Sequence, residues 1–331
     1  MGTAAERGTA PAVSVVMPLY NKVGYVGAAI RSVLDQTFTD LELVVVDDGS
    51  TDGSAEVVQG LANRRIRLLR QENAGAPAAR NAGIAAARGR WVAFLDADDT
   101  WRPEKLARQL AVLEREPDLV WAAGAYVRTR PGPITIEQNV PDQGWLRAPE
   151  VLEDGLLALT DAWCLWTGTV MVRRDILSQL GGFDTSFPTG DDVLLWSRIA
   201  ARHPPLAYVR TPIADYRCDV AGSLTRIQDK PGFVSIPYLA RQLLALGISL
   251  PPERVELLRL QAERQLVTQA KREIVGGHWN SARATLAEVE RLTPSRRVRW
   301  LKLLTTLPAW PTLAACRWGM RVHQGVRSSW R

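Results

Sequence analysis

The chain is poor in the residues that build covalent or metal cross-links. It has three cysteines, Cys164, Cys218 and Cys316, and three histidines, His203, His278 and His323, all far apart. Such spacing makes neither a disulfide framework nor a CxxC knuckle, and it fits a reducing compartment. A histidine-based metal centre is excluded for the same reason. Long apolar runs are also missing: the longest, 119–127 and 306–316, fall short of the ~18 residues a spanning helix needs. The opening MGTAAERGTAP has no apolar leader core, so no signal peptide is expected. Two phosphate loops are absent. The first apolar run is followed by PLYNKVGYVG, which is not GxGxxG, and no GxxxxGK[ST] occurs. A dinucleotide Rossmann site and a P-loop nucleotidase are therefore unsupported. Finally, residues 294–331 hold eight Lys or Arg and no Asp or Glu.

What is present is an ordinary globular mix of 46% hydrophobic and 23% charged residues over 331 positions, enough for about two domains. Outside the tail, 33 basic residues face 35 acidic ones, so the body is nearly neutral and charge-driven binding belongs to the tail. The tail also carries Trp300, Trp310, Trp318 and Trp330. Basic residues with Trp suit a peripheral membrane contact, and equally a solvated end or a docking strip for a protein. No nucleic-acid motif accompanies the charge, so no nucleic acid is expected as a partner.

Between residues 13 and 127, short apolar runs alternate with amphipathic stretches. VSVVM, LELVVV, IRLLR, WVAFL and LVWAAG (119–124) read as strands by length and β-branching. YVGAAIRSVLDQ places Val26, Ile30, Val33 and Leu34 on one helical face. Further helices are expected from Ser54, from Ala76 and over PEKLARQLAVLERE, with Pro103 in the first turn. The alternation implies a mostly parallel, doubly wound, Rossmann-like α/β sheet, which binds ligands at the carboxyl ends of its strands. Periodicity fades over 132–161, where a long loop region is expected. It returns in TVMVRRDILSQLGGFD and DDVLLWSRIAAR, and residues 237–292 carry long helical patterns ending in a hairpin-like unit. The expected divisions are a flexible start (1–12), an α/β domain (13–230), a helical accessory region (231–293) and the basic tail (294–331).

Acidic residues at strand ends carry the chemistry. The second strand runs into Asp47-Asp48-Gly49-Ser50, which by itself is also an ordinary turn. The fourth ends in Asp96-Ala97-Asp98-Asp99. Carboxylates this close repel unless solvated or bridged by a cation, and hard oxygen donors suit Mg²⁺ or Mn²⁺. Asn73, in QENAG, and Arg80, in ARNAG, belong to the same rim.

Taken together, VSVVMPLYNK, VVVDDGSTDGS, NAGAPAARNAGIAAARG and WVAFLDADD, followed by VRRDILSQLGGFD and GDDVLLWSRIA, resemble the family 2 glycosyltransferases of the A-type fold, over about 13–226. The resemblance implies an inverting transfer of sugar from a nucleoside diphosphate sugar, a UDP-sugar above others. The implied acceptor is a saccharide or lipid-linked saccharide, in surface polysaccharide biosynthesis. The sparse cysteines and the missing leader point to a cytoplasmic location, and the basic tail offers a contact with the inner face of the membrane as one of its three readings. By residue, the resemblance implies that Pro18 and Tyr20 line the base and ribose. Asp48 binds the base, with Asn73 and Arg80 nearby in the nucleotide site. Asp96 and Asp98 form the DxD motif that holds Mn²⁺ or Mg²⁺, Asp98 most directly. Asp191 or Asp192 is the catalytic base, with Asp191 preferred, and Trp196 anchors their helix in the core. Trp145, Trp163 and Trp166 lie where acceptors bind, or in the core. The chain departs from the pattern at Tyr216-Arg217-Cys218-Asp219, where family members often have Tyr-Arg-x-His, so that Asp219 stands in place of the His. A non-catalytic sugar-nucleotide scaffold or sensor is the alternative. A nucleotidyltransferase would need a glycine-rich loop that PLYNKVGYVG does not supply.

Overall fold

The computed structural model describes residues 10–129, 137–138, 146–148, 150–161, 165–186, 190–218, 220, 244–245 and 250–292. The expectations placed on residues 1–9, Trp145, Trp163, Asp219 and the 294–331 tail lie outside the described residues. The chain divides into two compact units, Met1–Gly222 and Ser223–Arg331.

In the first unit the apolar runs become strands β1 (Val13–Leu19), β2 (Leu41–Asp47), β3 (Ile66–Arg70) and β4 (Trp91–Phe94). After them come β5 (Thr100–Trp101), β6 (Trp121–Thr129), β7 (Glu137–Gln138), β8 (Leu146–Ala148), β9 (Val151–Leu152), β10 (Met171–Arg173) and β11 (Leu206–Arg217). The helices are α1 (Val26–Leu34), α2 (Ser54–Gly60), α3 (Ala76–Ala86), α4 (Lys105–Arg115), α5 (Gly155–Asp161), α6 (Arg174–Leu180) and α7 (Asp191–Arg202). The sheet order is β3-β2-β1-β4-β10-β6-β11-β9-β8, with β5 on β11 and β7 on β6. β3, β2, β1 and β4 run parallel, and so do β6 and β11, while β10 lies antiparallel between β4 and β6. The mostly parallel α/β sheet expected from the alternation is therefore present, with β10 reversed in the middle and the short β5, β7 and β9 reversed beside β6 and β11.

Period-2 alternation splits the core between the two faces. Val13, Val15, Met17 and Leu19 of β1 pack with Val26, Ile30 and Val33 of α1 and Leu106, Leu110 and Leu113 of α4. On the other face Val44 and Val46 lie under Ala79 of α3. Trp196 is fully buried there, 5.7 Å from Phe94 and 5.6 Å from Phe183, so it anchors α7 as expected. The approach of α3 to β1 depends on Gly83, where an added Cβ would sit 2.3 Å from Val16 Cγ1. That contact seats the preceding turn of α3, and Arg80 with it, at the carboxyl rim.

Three details differ from the sequence reading. The strand expected over 119–124 starts at Trp121 and runs to Thr129, because pairing with β11 extends it. Pro103 precedes α4, which starts at Lys105. The span 132–161 contains β7, β8, β9 and α5 among its described residues. Strands of two or three residues are too short to show a period, and β9 finds its partner far along the chain in β11.

In the second unit α8 (Pro252–Val275) and α9 (Trp279–Leu292) form a helical hairpin. Ala262, Leu266, Ala270 and Ile274, four residues apart, meet Ala282, Leu286 and Val289. The buried Glu273 carboxylate ties the pair, accepting from Gln269 Nε2 (3.0 Å), Ser281 Oγ (2.7 Å) and Thr285 Oγ1 (2.9 Å). No described helix is long and apolar enough to cross a membrane.

Candidate functional site

Because β1, β2 and β4 are parallel, the chain leaves all three at one rim, and the acidic segments follow there. The loop after β1 is stapled to the loop after β2. Asn21 N donates to Ser50 Oγ (3.1 Å), Thr51 N to Asn21 Oδ1 (2.8 Å), Lys22 N to Ser54 Oγ (2.8 Å) and Val23 N to Asp52 Oδ2 (3.0 Å). Asp47 also serves the turn, accepting from Ser50 N at 3.0 Å. DDGSTDGS thus combines a local turn bond with bonds across to residues 21–23 of the loop after β1. Pro18 is buried within β1, whereas Tyr20 stands 48% exposed at the rim.

Asp48 is turned toward the segment joining β3 to α3. Its Oδ1 accepts from Gln71 Nε2 (2.7 Å) and Ala74 N (2.9 Å), and its Oδ2 from Gly75 N (2.9 Å). Asn73 Nδ2 donates to the Asp48 carbonyl at 3.0 Å, so the two expected nucleotide-site residues are brought together. Gly49 makes this possible. Its φ is +77°, and its backbone passes so close to Asn73 that an added Cβ would lie 3.1 Å from the Asn73 amide.

Arg80 joins the acidic segments. Its Nη2 donates to Asp96 Oδ1 (2.9 Å) and its Nη1 to Asp191 Oδ2 (3.0 Å), at sequence separations of 16 and 111 residues. Its guanidinium lies 5.3 Å from the Phe183 ring centroid. Asn81, the next residue, holds the Phe183 backbone with both ends of its amide, at 2.8 Å each. Asp98 pairs with Lys22 at 3.3 Å. Asp99 is buried, with one oxygen on Arg217 N (2.6 Å) and the other without a partner among the described residues. Asp191 and Asp192, though adjacent, diverge: Asp191 is buried on Arg80, while the half-buried Asp192 accepts from Thr167 Oγ1 at 2.8 Å. Arg80, in the sequence reading a side chain near the nucleotide, is here the bridge between two strand-end carboxylates. Lys22, Gln71, Asn81, Asp99, Thr167 and Phe183 belong to the rim as well. Asp99 already stands in the DADD run of the sequence; the others carry no such signal, since each acts through a partner distant in the chain.

The rim carries an excess of negative charge. Burial pushes Asp191 up to about 7, with Arg80 opposing and Asp192 and Asp96 reinforcing. Burial and the Asp96 charge raise Asp98 against the pull of Lys22. Burial, with Asp98 and Asp96, raises Asp99 well above the carboxylate range. Burial works against the Arg80 charge, but Asp96, Asp191 and Asp192 together hold it firmly protonated. Shifts of this kind gather at sites that bind or react. No group of three or more His, Cys, Asp or Glu side chains able to hold a metal forms among the described residues. Asp96 and Asp98 nonetheless supply two hard oxygen donors. Mg²⁺ and Mn²⁺ commonly take one or two carboxylates and complete their shell with substrate phosphates, so the donor set fits such an ion. Trp166 packs among aromatic rings, 5.0 Å from both Tyr126 and Tyr216, with partial exposure.

The profile of Glycosyl transferase family 2 matches residues 14–181, and the chain belongs to this family. An uncharacterized glycosyltransferase of Nostoc sp. is 38% identical over 179 residues, 52% of this chain and 54% of its own length. The Bacillus subtilis protein TuaG, named for teichuronic acid biosynthesis, is 33% identical over 62% of this chain and 79% of its own length. The succinoglycan biosynthesis protein ExoO of Rhizobium meliloti is 34% identical, and the chain spans 54% of it. Among solved structures, S. aureus TarS 1-349 with UDP-GlcNAc aligns at a TM-score of 0.68 and 17% identity, over 92% of this chain and 88% of that one. The mannosyltransferase PcManGT of Pyrobaculum calidifontis, with GDP-Man and Mn²⁺, aligns at 0.54 and 19%, over 93% and 86%. At these identities the structural likeness establishes the fold, which is the A-type glycosyltransferase fold.

Proposed function

We propose that the chain is an inverting, metal-dependent glycosyltransferase. It moves a sugar from a nucleoside diphosphate sugar, a UDP-sugar above others, to a saccharide or lipid-linked saccharide in surface polysaccharide biosynthesis. The observation that carries the reading is the Arg80 bridge, which ties the strand-end Asp96 to the first turn of α7 and so joins the donor side of the rim to the acidic pair. The names of TuaG and ExoO support the biosynthetic context, and the UDP-GlcNAc in TarS supports the donor class.

In this reading Tyr20 and Asp48 receive the base and ribose, Pro18 backs them from within β1, and Asn73 with Arg80 keeps the pocket in shape. Asp98, with Asp96, would hold Mn²⁺ or Mg²⁺. The bound ion supplies countercharge to the diphosphate as the anomeric bond breaks. Asp192 takes the proton from the acceptor hydroxyl. Of the acidic pair it is the more accessible, while Asp191 is committed to Arg80 and keeps α7 on the rim. This inverts the preference drawn from sequence. One base opposite the leaving group gives a single displacement with inversion, and Trp166 and Tyr216 flank the acceptor side.

A thermal-shift panel of nucleoside diphosphates and their sugars, with and without Mn²⁺, tests the donor site. Stabilisation by UDP that requires Mn²⁺ and vanishes in Asp98→Asn is expected. Full stabilisation of that variant would remove the metal assignment, and indifference of the wild type to every nucleotide would remove the function. The membrane contact of the tail, and with it a cytoplasmic place at the inner membrane face, is tested by liposome flotation. The full chain should float with anionic vesicles and a chain ending at Thr293 should not; equal flotation counts against the contact.

A further inference from the structure

Lys105 is fully buried in the first turn of α4, and no ion pair to it forms among the described residues. Burial pushes its amine well below the usual lysine value. An amine in such a place costs stability relative to an apolar side chain of the same length, so its contacts merit an account. There are two. Its Nζ donates to Gln109 Oε1 (2.9 Å), and it sits 4.0 Å from the centroid of the Trp101 indole.

Both contacts lead to the same place. Gln109 Nε2 donates to the Thr169 carbonyl (2.7 Å), and Trp101 Nε1 to the Gly168 carbonyl (2.7 Å). These two carbonyls belong to the single 3₁₀ turn Thr167–Thr169, whose first residue donates its hydroxyl to Asp192. A carboxamide can flip, and with a donor facing Oε1 the amide nitrogen must face Thr169. Lys105 therefore sets the orientation of one grip on the turn and packs against the other.

We propose that Lys105 is a positioning residue for Asp192: through Gln109 and Trp101 it fixes the Thr167–Thr169 turn, and the turn fixes the carboxylate. The functional consequence rests on the reading of Asp192 as proton acceptor; the structural link does not.

The test follows the Asp192 carboxyl carbon by ¹³C NMR in the full chain labelled at aspartate, the signal being identified by its loss in Asp192→Asn. Lys105→Met keeps the bulk against Trp101 and removes the donor. The expected result is a shift of the Asp192 signal in the direction that Thr167→Val moves it, with no further movement when the two changes are combined. An Asp192 signal unmoved in a cooperatively folded Lys105→Met overturns the proposal, as does an additive response in the double variant. Where Lys105→Met does not fold, Gln109→Leu takes its place, with the same shift expected and an unmoved signal equally fatal. In turnover of a UDP-sugar the same variant should lose kcat on the order of tenfold at unchanged KM, as expected for a misplaced reacting group. A change confined to KM contradicts the proposal. Should Asp192→Asn retain full turnover while the signal moves, Asp192 is not the proton acceptor and the link to Lys105 stands.

Discussion

Glu42 and Asp191 are nearly buried carboxylates at opposite rims of the same sheet, and their surroundings differ in kind. At the amino rim Glu42 accepts from Ser14 Oγ (2.6 Å), Arg88 N (2.8 Å), Arg88 Nε (2.9 Å) and Arg67 Nη1 (3.1 Å). Burial alone would raise it, but these donors outweigh burial and hold it below the usual carboxylate range. At the carboxyl rim one guanidinium, that of Arg80, serves Asp96 and Asp191. There Asp98, Asp99 and Asp191 are all raised, and Arg80 Nε and Asp99 Oδ2 lack partners among the described residues. A fully satisfied carboxylate closes a fold. An under-satisfied cluster of like charges is a place where a cation or a proton is worth more than the protein's own contacts. One rim is built for stability and the other departs from stability where the proposed chemistry lies.

This contrast can be broken at several points. The largest effect is expected in Asp192→Asn, which should lower turnover by about 10²–10⁴ while leaving UDP binding unchanged; steady-state kinetics beside a binding isotherm would show a lesser loss if the carboxyl rim were not reactive. Glu42→Ala should cost about 1–3 kcal/mol in denaturant unfolding, because it leaves the buried Ser14 hydroxyl and the Arg88 amide without their acceptor, while the partly exposed Arg67 and Arg88 guanidinium groups turn to water. A cost near zero would mean that the amino rim is no more structural than its counterpart.

A smaller effect, and a sharper one, is the dependence on pH. Asp191 has a folded value of about 7 against an ordinary 3.8. Between those values the native state holds more protons than the unfolded chain, so this group's contribution declines as pH rises through the window and is flat above it. Glu42, lowered from 4.5, works the other way: its contribution is present above that value and is lost as pH falls through the lowered one. Melting curves should therefore show Asp191→Asn gaining on the wild type from pH 5 to pH 8, and the penalty of Glu42→Gln shrinking as pH drops below 4.5. Both gaps moving in the same sense would contradict the difference between the rims. Smallest of all, Asp98→Asn should leave the melting temperature of the ligand-free protein unchanged or slightly raised, since it relieves repulsion from Asp96. A marked loss would make Asp98 a structural residue.

Much of the carboxyl rim was legible in the chain before folding. Strand runs ending in DDGS and DADD point their acids to one rim as soon as the sheet is parallel, and that follows from alternation with helices. Arg80 was legible as a rim residue but not as a bridge, because Asp191 lies 111 positions away. Lys105 was invisible: in KLARQLAVLER a lysine at the start of an amphipathic helix reads as solvated, and the structure buries it completely. Periodicity marks the inward face of a helix through its apolar members and says nothing of a polar residue that shares that face.

What the sequence determined by itself is the set of local choices: which runs are strands, which stretches are helices, and which carboxylates end the strands. These depend on propensity, period and turn chemistry within a few residues. What only the tertiary structure decided is the reversed direction of β10, the sharing of Arg80 between two carboxylates, the divergence of Asp191 from Asp192, and the turn that holds the latter. Each is a contact between groups far apart in the chain, and the free energy that selects it exists only once the whole core has closed around them.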